Sequence, residues 1–323
     1  PERRRSQLSS RSYGGWKSSC VPRSSSDGSG FDRLGCGSSE TKFVDQNQSG
    51  TVLIEIPGIL GEIVEKRLIT IGQSKKKRPE PELRLIAENA SVPLSLQRSI
   101  ASKSGISLIA EMKRSSPSAG SLDPDLDPAH RAGLYSDAGA AAISVLTEPD
   151  YFSGSIEDLA AVSVIARASR VPVLRKDFIV DEYQIHEARA AGADCILLII
   201  ACLDPKQYAD LFAISTAMGM DVLVEVFDEP ELEIALTAVD PHIVGINNRN
   251  LKTLQTSLSV FETLAQKIPD DRIRVAESGM KDSGDVERMG YAGAKAVLVG
   301  ESLMKAGNDV SELAEAMAAV EVR

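Results

Sequence analysis

The sequence predicts a (β/α)8 TIM barrel of the α/β class, with extra N-terminal helices and a disordered N-terminal segment. Three observations predict it. Eight short apolar runs recur from residue 107 onward, at intervals of roughly 20 to 30 residues. Helix-period patterns separate them. No Gly-rich dinucleotide turn follows the first run, which disfavours the runner-up, a doubly wound open sheet.

In chain order, residues 1–50 are rich in Ser, Arg and Gly, poor in acids, and lack apolar periodicity. Such a stretch buries too little surface to fold. Its composition matches an organelle transit peptide, so the expected location is the plastid (chloroplast) stroma. If the segment is only a tail, the expectation is cytoplasmic. The start at Pro1 rather than Met is read as an incomplete front end.

Residues 51–106 form a helical extension. An amphipathic pattern runs over 52–73, through Ile54, Ile56, Ile59, Leu60, Ile63, Val64, Leu68 and Ile69, and reads as a helix after Pro57. A basic, Pro-broken linker, Gly72–Glu82, is expected next as a solvated connector. Short helices are expected over Pro81–Glu88 and Leu94–Ser102.

Residues 107–323 form the barrel. Its strands are expected at Ser107–Lys113, Ala141–Thr147, Val171–Phe178, Cys195–Ile200, Asp221–Phe227, His242–Asn248, Arg272–Ser278 and Ala296–Ser302. Most alternate little, as parallel strands covered on both faces do. The intervening helices are expected at Asp127–Ala138, Ser155–Ala168, Asp181–Ala191, Asp204–Met218, Glu229–Ala238, Leu258–Lys267, Ser283–Gly290 and Ser311–Val320. Gly139, Gly192, Gly219 and Gly293 stand where left-handed residues stop helices.

Bulk properties narrow the function. Apolar residues make up 43%, enough for a sizeable core. A net charge of −10 argues against a nucleic-acid binder. No apolar run is long enough to span a membrane. The four cysteines, Cys20, Cys36, Cys195 and Cys202, have neither CxxC spacing nor a disulfide-framework pattern. The three histidines, His130, His186 and His242, form no metal-ligand arrangement. No metal and no cofactor is expected.

In a barrel, catalytic groups lie at the carboxyl ends of the strands. The first strand ends Ile109-Ala110-Glu111-Met112-Lys113, and alternation points Glu111 and Lys113 to one side. The third ends Arg175-Lys176-Asp177-Phe178, where Lys176 faces inward and its neighbours outward. Glu225 interrupts the apolar fifth strand. A charge inside a strand is costly unless paired or used. Each alone reads as well as a structural ion pair; together they converge on one small mouth. Asn247 and Arg249 follow the sixth strand and suit hydroxyls or a carboxylate. Gly279, Gly300 and Glu301 lie in the turns after the last two strands, where backbone N–H groups can hold a phosphate. Two neighbouring lysines are expected to lower each other's proton affinity, so that one serves as an acid near neutral pH. The chemistry is therefore acid–base work or a Schiff base on a phosphorylated small molecule.

These residues lie in stretches that resemble the indole-3-glycerol-phosphate synthases. The stretches are IAEMKRSSPSAG at 109–120, LTEPDYFSGSIEDL at 146–159, VPVLRKDFIVDEYQIHEARAAGAD at 171–194, LVEVFDEPEL at 223–232, GINNRNLKTL at 245–254, VAESGM at 275–280 and LVGESLM at 298–304. GILGEIVEKR at 58–67 is similar to the family's extra N-terminal helix. The resemblance runs from about residue 55 to the end, in matching order and spacing.

It implies a lyase of tryptophan biosynthesis that closes the indole ring of 1-(2-carboxyphenylamino)-1-deoxyribulose 5-phosphate, releasing water and carbon dioxide. By motif, Lys176 resembles the general acid, Glu225 the group that handles the dehydration proton, and Lys113 an anion-binding lysine that shares acid duty. Glu111 and Asn247 resemble orienting groups. Arg249 and Ser278 resemble further pocket residues, and Ser116 a phosphate-facing one, as do Gly279, Gly300 and Glu301. Phe152 and Phe178 match aromatic walls for the anthranilate ring, with Leu197 and Leu251 on the same side. Glu301 departs from the Ser or Thr often found in the family, which a backbone contact tolerates. The expected state is a monomer, able to associate with other enzymes of tryptophan synthesis.

Three other readings compete. An enzyme like phosphoribosylanthranilate isomerase would want a cysteine at a strand's carboxyl end, but Cys195 begins its strand. A Schiff-base aldolase would also place a lysine at a strand end, and borohydride trapping separates it. A non-catalytic scaffold would have no use for Lys113, Lys176 and Glu225 together.

Overall fold

The computed structural model of the chain describes Ile56 and residues 58–251 and 253–322. The expected transit segment 1–50, with Cys20 and Cys36, lies outside the described residues, as do Ile54 and Pro57. No helix among the described residues is long and apolar enough to cross a membrane.

Eight strands close a parallel barrel: β1 (Ser107–Met112), β2 (Ala142–Leu146), β3 (Val173–Lys176), β4 (Cys195–Ile199), β5 (Asp221–Val226), β6 (Ile243–Asn247), β7 (Ile273–Glu277) and β8 (Ala296–Val299). They pair around the ring in sequence order, and β8 returns to β1. Nearly every strand residue is buried, because side chains pack both into the barrel and under the helices. Each fully buried Leu, Ile or Val contributes about 1.5–3 kcal/mol, so the barrel wall itself is the main stabilising layer.

The helices between strands are α4 (Pro128–Asp137), α5 (Pro149–Phe152), α6 (Ile156–Ala168), α7 (Glu182–Ala190), α8 (Pro205–Ala217), α9 (Glu229–Ala238), α10 (Ser259–Leu264), α11 (Ser283–Tyr291), α12 (Glu301–Lys305) and α13 (Val310–Ala318), and α1 (Ile59–Lys77), α2 (Glu80–Glu88) and α3 (Leu96–Ala101) precede the barrel. Asp127, Ser155, Asp181, Asp204, Asp228 and Asp282 cap six of them through their side chains. Each cap is worth about 1 kcal/mol and fixes where a strand-to-helix loop must end. Gly139, Gly192, Gly219 and Gly293 all have the left-handed φ that stops a helix.

The structure corrects three boundaries. The expected connector Gly72–Glu82 is helix almost throughout. α1 runs to Lys77, its last turn holding Lys75, Lys76 and Lys77, where cations suit the negative end of the helix dipole. Nor is it a free solvated run: Lys75 Nζ lies 2.8 Å from Asp181 Oδ2, and Arg78 O accepts from Tyr183 Oη at 3.2 Å. β3 ends at Lys176 rather than Phe178, and β8 at Val299 rather than Ser302, because Glu301 already begins α12. The short α5 and a small hairpin pairing Ser115–Ser116 with Gly120–Ser121 were not expected.

α1 buries Leu60, Ile63, Val64, Arg67 and Ile71, one stripe at helical spacing. Within it, Arg67 Nη2 reaches Asp177 Oδ2 at 2.8 Å. The same oxygen accepts from Arg175 Nη2 at 3.0 Å and from Thr147 Oγ1 at 2.6 Å. Arg175 also donates to Gln184 O and to Glu187. This buried cluster outside the strands fastens α1 and α7 to the carboxyl end of β3.

Candidate active site

At the carboxyl end of the barrel, side chains from every second strand position turn inward. β1 delivers Glu111, and Lys113 just beyond it folds back into an ion pair with the Glu111 carboxylate. β3 ends on Lys176. Its Nζ lies 3.3 Å from Glu225 Oε2 on β5 and 3.4 Å from Glu277 Oε2 on β7. On β6, Asn247 Nδ2 donates to Glu225 Oε1 at 2.9 Å, and Asn247 Oδ1 accepts from Arg249 N at 3.0 Å. Glu225 is thus held by a lysine on one oxygen and an amide on the other.

The lysine pair does not behave as the sequence suggested. Burial pulls the Lys176 pKa down, but Glu225, Glu277 and Glu111 outweigh it and raise it above the ordinary lysine value. Lys176 is held as a cation by three carboxylates; the other lysine does not depress it. Glu277 moves with opposite consequence. Burial, then the charge of Glu225, push its carboxyl well above the ordinary range, against the pull of Lys176. Its oxygens make no well-aligned hydrogen bond. Glu277 therefore keeps its proton to a higher pH than an ordinary carboxyl does.

Two glycines make room for these acids. A Cβ on Gly245 would stand 2.0 Å from Glu277 Oε1, and one on Gly300 would stand 2.2 Å from Glu111 Oε1. Neither position tolerates a side chain while the carboxylates keep their places.

All fifteen residues singled out in the sequence line one cavity of about 1000 Å³, its open mouth included. One side is apolar: Ile59 and Leu60 of α1, with Leu146, Phe152, Phe178, Leu197 and Leu251. The Phe152 and Phe178 rings are tilted by 36° with centroids 6.1 Å apart. The other side is turn backbone, where Ser278 and Gly279 both have positive φ, at 65° and 91°. A serine held there is strained, as functional turns often are. Ser116, Ser118 and Arg249 close the rim.

The family model described as indole-3-glycerol phosphate synthase matches residues 60–316. The chain belongs to the indole-3-glycerol phosphate synthase family. The indole-3-glycerol phosphate synthase of Rhodospirillum rubrum is 45% identical over 251 residues, covering 76% of this chain and 94% of the relative. That of a Polaromonas species is 45% identical over 261 residues, covering 80% and 97%. Among solved structures, thiamine phosphate pyrophosphorylase from Pyrococcus furiosus matches with a TM-score of 0.52 at 15% identity, covering 69% of this chain and 96% of that one. The 3-hexulose-6-phosphate synthase of Salmonella typhimurium matches with the same TM-score and identity, covering 66% and 97%. At such identity these two share the fold alone.

Two site residues of this family member escaped the sequence reading. Glu277 ends β7 opposite Asn247 in the β6–β7 register. Its signal was present, since it too is an acid at an apolar strand's end. Glu148 is fully buried and accepts from the N–H groups of Asp150, Tyr151 and Phe152 at 2.9, 2.7 and 3.1 Å. It caps α5 and so sets the Phe152 ring against the cavity. The Glu148-Pro149 pair, a cap followed by proline at the first helical position, could have revealed that turn.

Proposed function

We propose that this chain is an indole-3-glycerol-phosphate synthase, a carboxy-lyase of tryptophan biosynthesis. It converts 1-(2-carboxyphenylamino)-1-deoxyribulose 5-phosphate to indole-3-glycerol phosphate, water and carbon dioxide. The observation that carries this reading is a charged lysine set among three carboxylates, between an apolar wall and an anion-sized turn. The substrate has the matching sequence of parts: an aromatic ring with a carboxylate, a carbonyl with hydroxyls, and a phosphate.

The anthranilate ring lies against Phe152 and Phe178, with Leu197 and Leu251 beside it. Lys113 meets the carboxylate, and Arg249, in contact with Glu301, stands at the phosphate end. The phosphate lies on the backbone at Gly279, Gly300 and Glu301, with Ser116 and Ser278 near. Lys176 then faces the ribulose carbonyl. As the ring carbon bearing the carboxylate attacks, Lys176 gives its proton to the carbonyl oxygen, and loss of carbon dioxide returns an electron pair to the ring. The new hydroxyl leaves as water. That step needs a second proton, which Lys113 gives to the departing hydroxyl, and removes one from the substrate carbon beside the nitrogen, which Glu225, oriented by Asn247, takes; Glu111 holds Lys113 in place. Substrate hydroxyls that engage Glu225 or Glu277 draw those acids away from Lys176. The lysine then loses the charges that held its proton and becomes the stronger acid that the ring closure needs.

Incubating the purified chain with the carboxyphenylamino-deoxyribulose phosphate and following indole fluorescence tests the reading. Product is expected from the wild type, and Lys176→Ala loses about 10²- to 10⁴-fold in turnover. No product from the wild type defeats the assignment; ordinary turnover by the variant defeats the role of Lys176. The composition of residues 1–50 further supports import into a plastid. The chain is proposed to act there as a monomer.

A further inference from the structure

The turn out of β8 ends on Glu301, whose residue lines the same cavity as Ser278, Gly279 and Gly300. A phosphate held on those turns meets a fixed negative charge. Partial burial opposes ionisation of Glu301, yet its contacts with Lys305 and Arg249 hold the carboxyl below its ordinary value. Lys305 Nζ lies 2.6 Å from Oε1 and Arg249 Nη2 lies 3.0 Å from Oε2.

Among the described residues, the cations lining the cavity are Lys113, Lys176 and Arg249. Lys113 is paired with Glu111, and Lys176 stands between Glu225 and Glu277. Arg249 is the cation that shares a contact with the phosphate-facing turn. Its other nitrogens are engaged as well: Nε donates to Thr256 Oγ1 at 3.2 Å, and Nη1 to Ser118 Oγ. A guanidinium has a fixed fork of donors. These contacts leave one N–H on each Nη, but the Glu301 carboxylate already neutralises the guanidinium at the turn, so an arriving dianion competes with it for that charge.

We infer that Glu301 restrains anion capture: its carboxylate occupies Arg249 in the free protein and must yield the guanidinium before a phosphate group binds there. This rests on the proposed phosphate position. The exchange weakens capture of every anion at this end, but unequally in effect. Inorganic phosphate has only the turn and Arg249 to gain. The full substrate adds the Phe152 and Phe178 wall and the Lys113 contact, and so binds despite the exchange. Glu301 thereby guards the cavity against free phosphate.

Titration calorimetry with inorganic phosphate near neutral pH tests this on the wild-type chain, Glu301→Gln, Arg249→Gln and the double variant. Glu301→Gln is expected to bind phosphate about three- to tenfold more tightly, the effect of removing one charge near a partly exposed site. That gain disappears in the Arg249→Gln background. A carboxylate that merely braced the two turns would move affinity the other way. Unchanged or weaker binding by Glu301→Gln therefore overturns the inference. So does an equal gain with and without Arg249, which would mark a general charge effect, and so does undetectable binding by both proteins. Failure of the proposed activity shows separately, as no indole product from the wild type.

Discussion

Arg175, Lys176 and Asp177 are consecutive, yet they serve two unlike charge clusters on opposite sides of one strand end. Outside the barrel, Asp177 is surrounded by donors: Arg67, Arg175 and Thr147 on one oxygen, and the Phe178 N–H at 2.8 Å on the other. Inside, Lys176 faces more carboxylate than it can satisfy, and Glu277 has against it only the Lys176 ammonium at 3.4 Å and the crowding Glu225 carboxyl. The outer cluster is closed and the inner one is open. Closed networks hold parts together; open ones keep a group whose partner is still to come.

The largest effect separating the two comes from the outer side. Asp177→Asn leaves two buried guanidinium groups short of their shared charge and is expected to cost about 3–5 kcal/mol, read as a shift in denaturant midpoint. A loss under about 1 kcal/mol would mean that the cluster is not a fastening at all.

The pH dependence sharpens the contrast, because the two carboxyls are shifted in opposite senses. Burial opposes the charge on Asp177, but Arg67 and Arg175 hold its pKa below the ordinary 3.8. Its contribution is present above that pH and is lost as pH falls through the folded value. Glu277, pushed well above 4.5, contributes fully below that pH, and its contribution is lost as pH rises through the folded value. Glu277→Gln should therefore flatten the decline in stability on the alkaline side of pH 4.5 while leaving the acid side as it is. Chemical denaturation across pH measures this, and an unchanged alkaline slope would count against a protonated Glu277.

The smallest effect belongs to the fringe of the outer cluster. Lys75 and Asp181 are each about a third exposed, and Lys75→Ala should cost under about 1 kcal/mol and less still in high salt. A larger loss would extend the fastening down to the end of α1.

The same contrast explains what the sequence disclosed. Glu111, Lys113, Lys176 and Glu225 stood out because each is a charge in an apolar strand, and the strand count told which end they share. Glu277 carries the same mark but lacks a partner in its own neighbourhood. Its meaning depends on Lys176, about a hundred residues earlier, and on the gap left by Gly245. The outer cluster was less legible still. Arg67 and Asp177 are 110 residues apart, and no spacing rule joins a helix before the barrel to the turn after its third strand. The helical reading of α1 stopped early because Gly72 and the lysines weaken its apolar stripe, although lysine is a good helix former.

The alternation at the end of β3 also bears on transplantation. Placing a lysine at the corresponding strand end of another barrel would import the reactive group without its footing. Thr147, Arg175, Asp177 and Glu187 would have to travel with it, together with a helix bearing the counterpart of Arg67. The portable unit is thus a strand end with both of its sides, drawn from three separated stretches of chain.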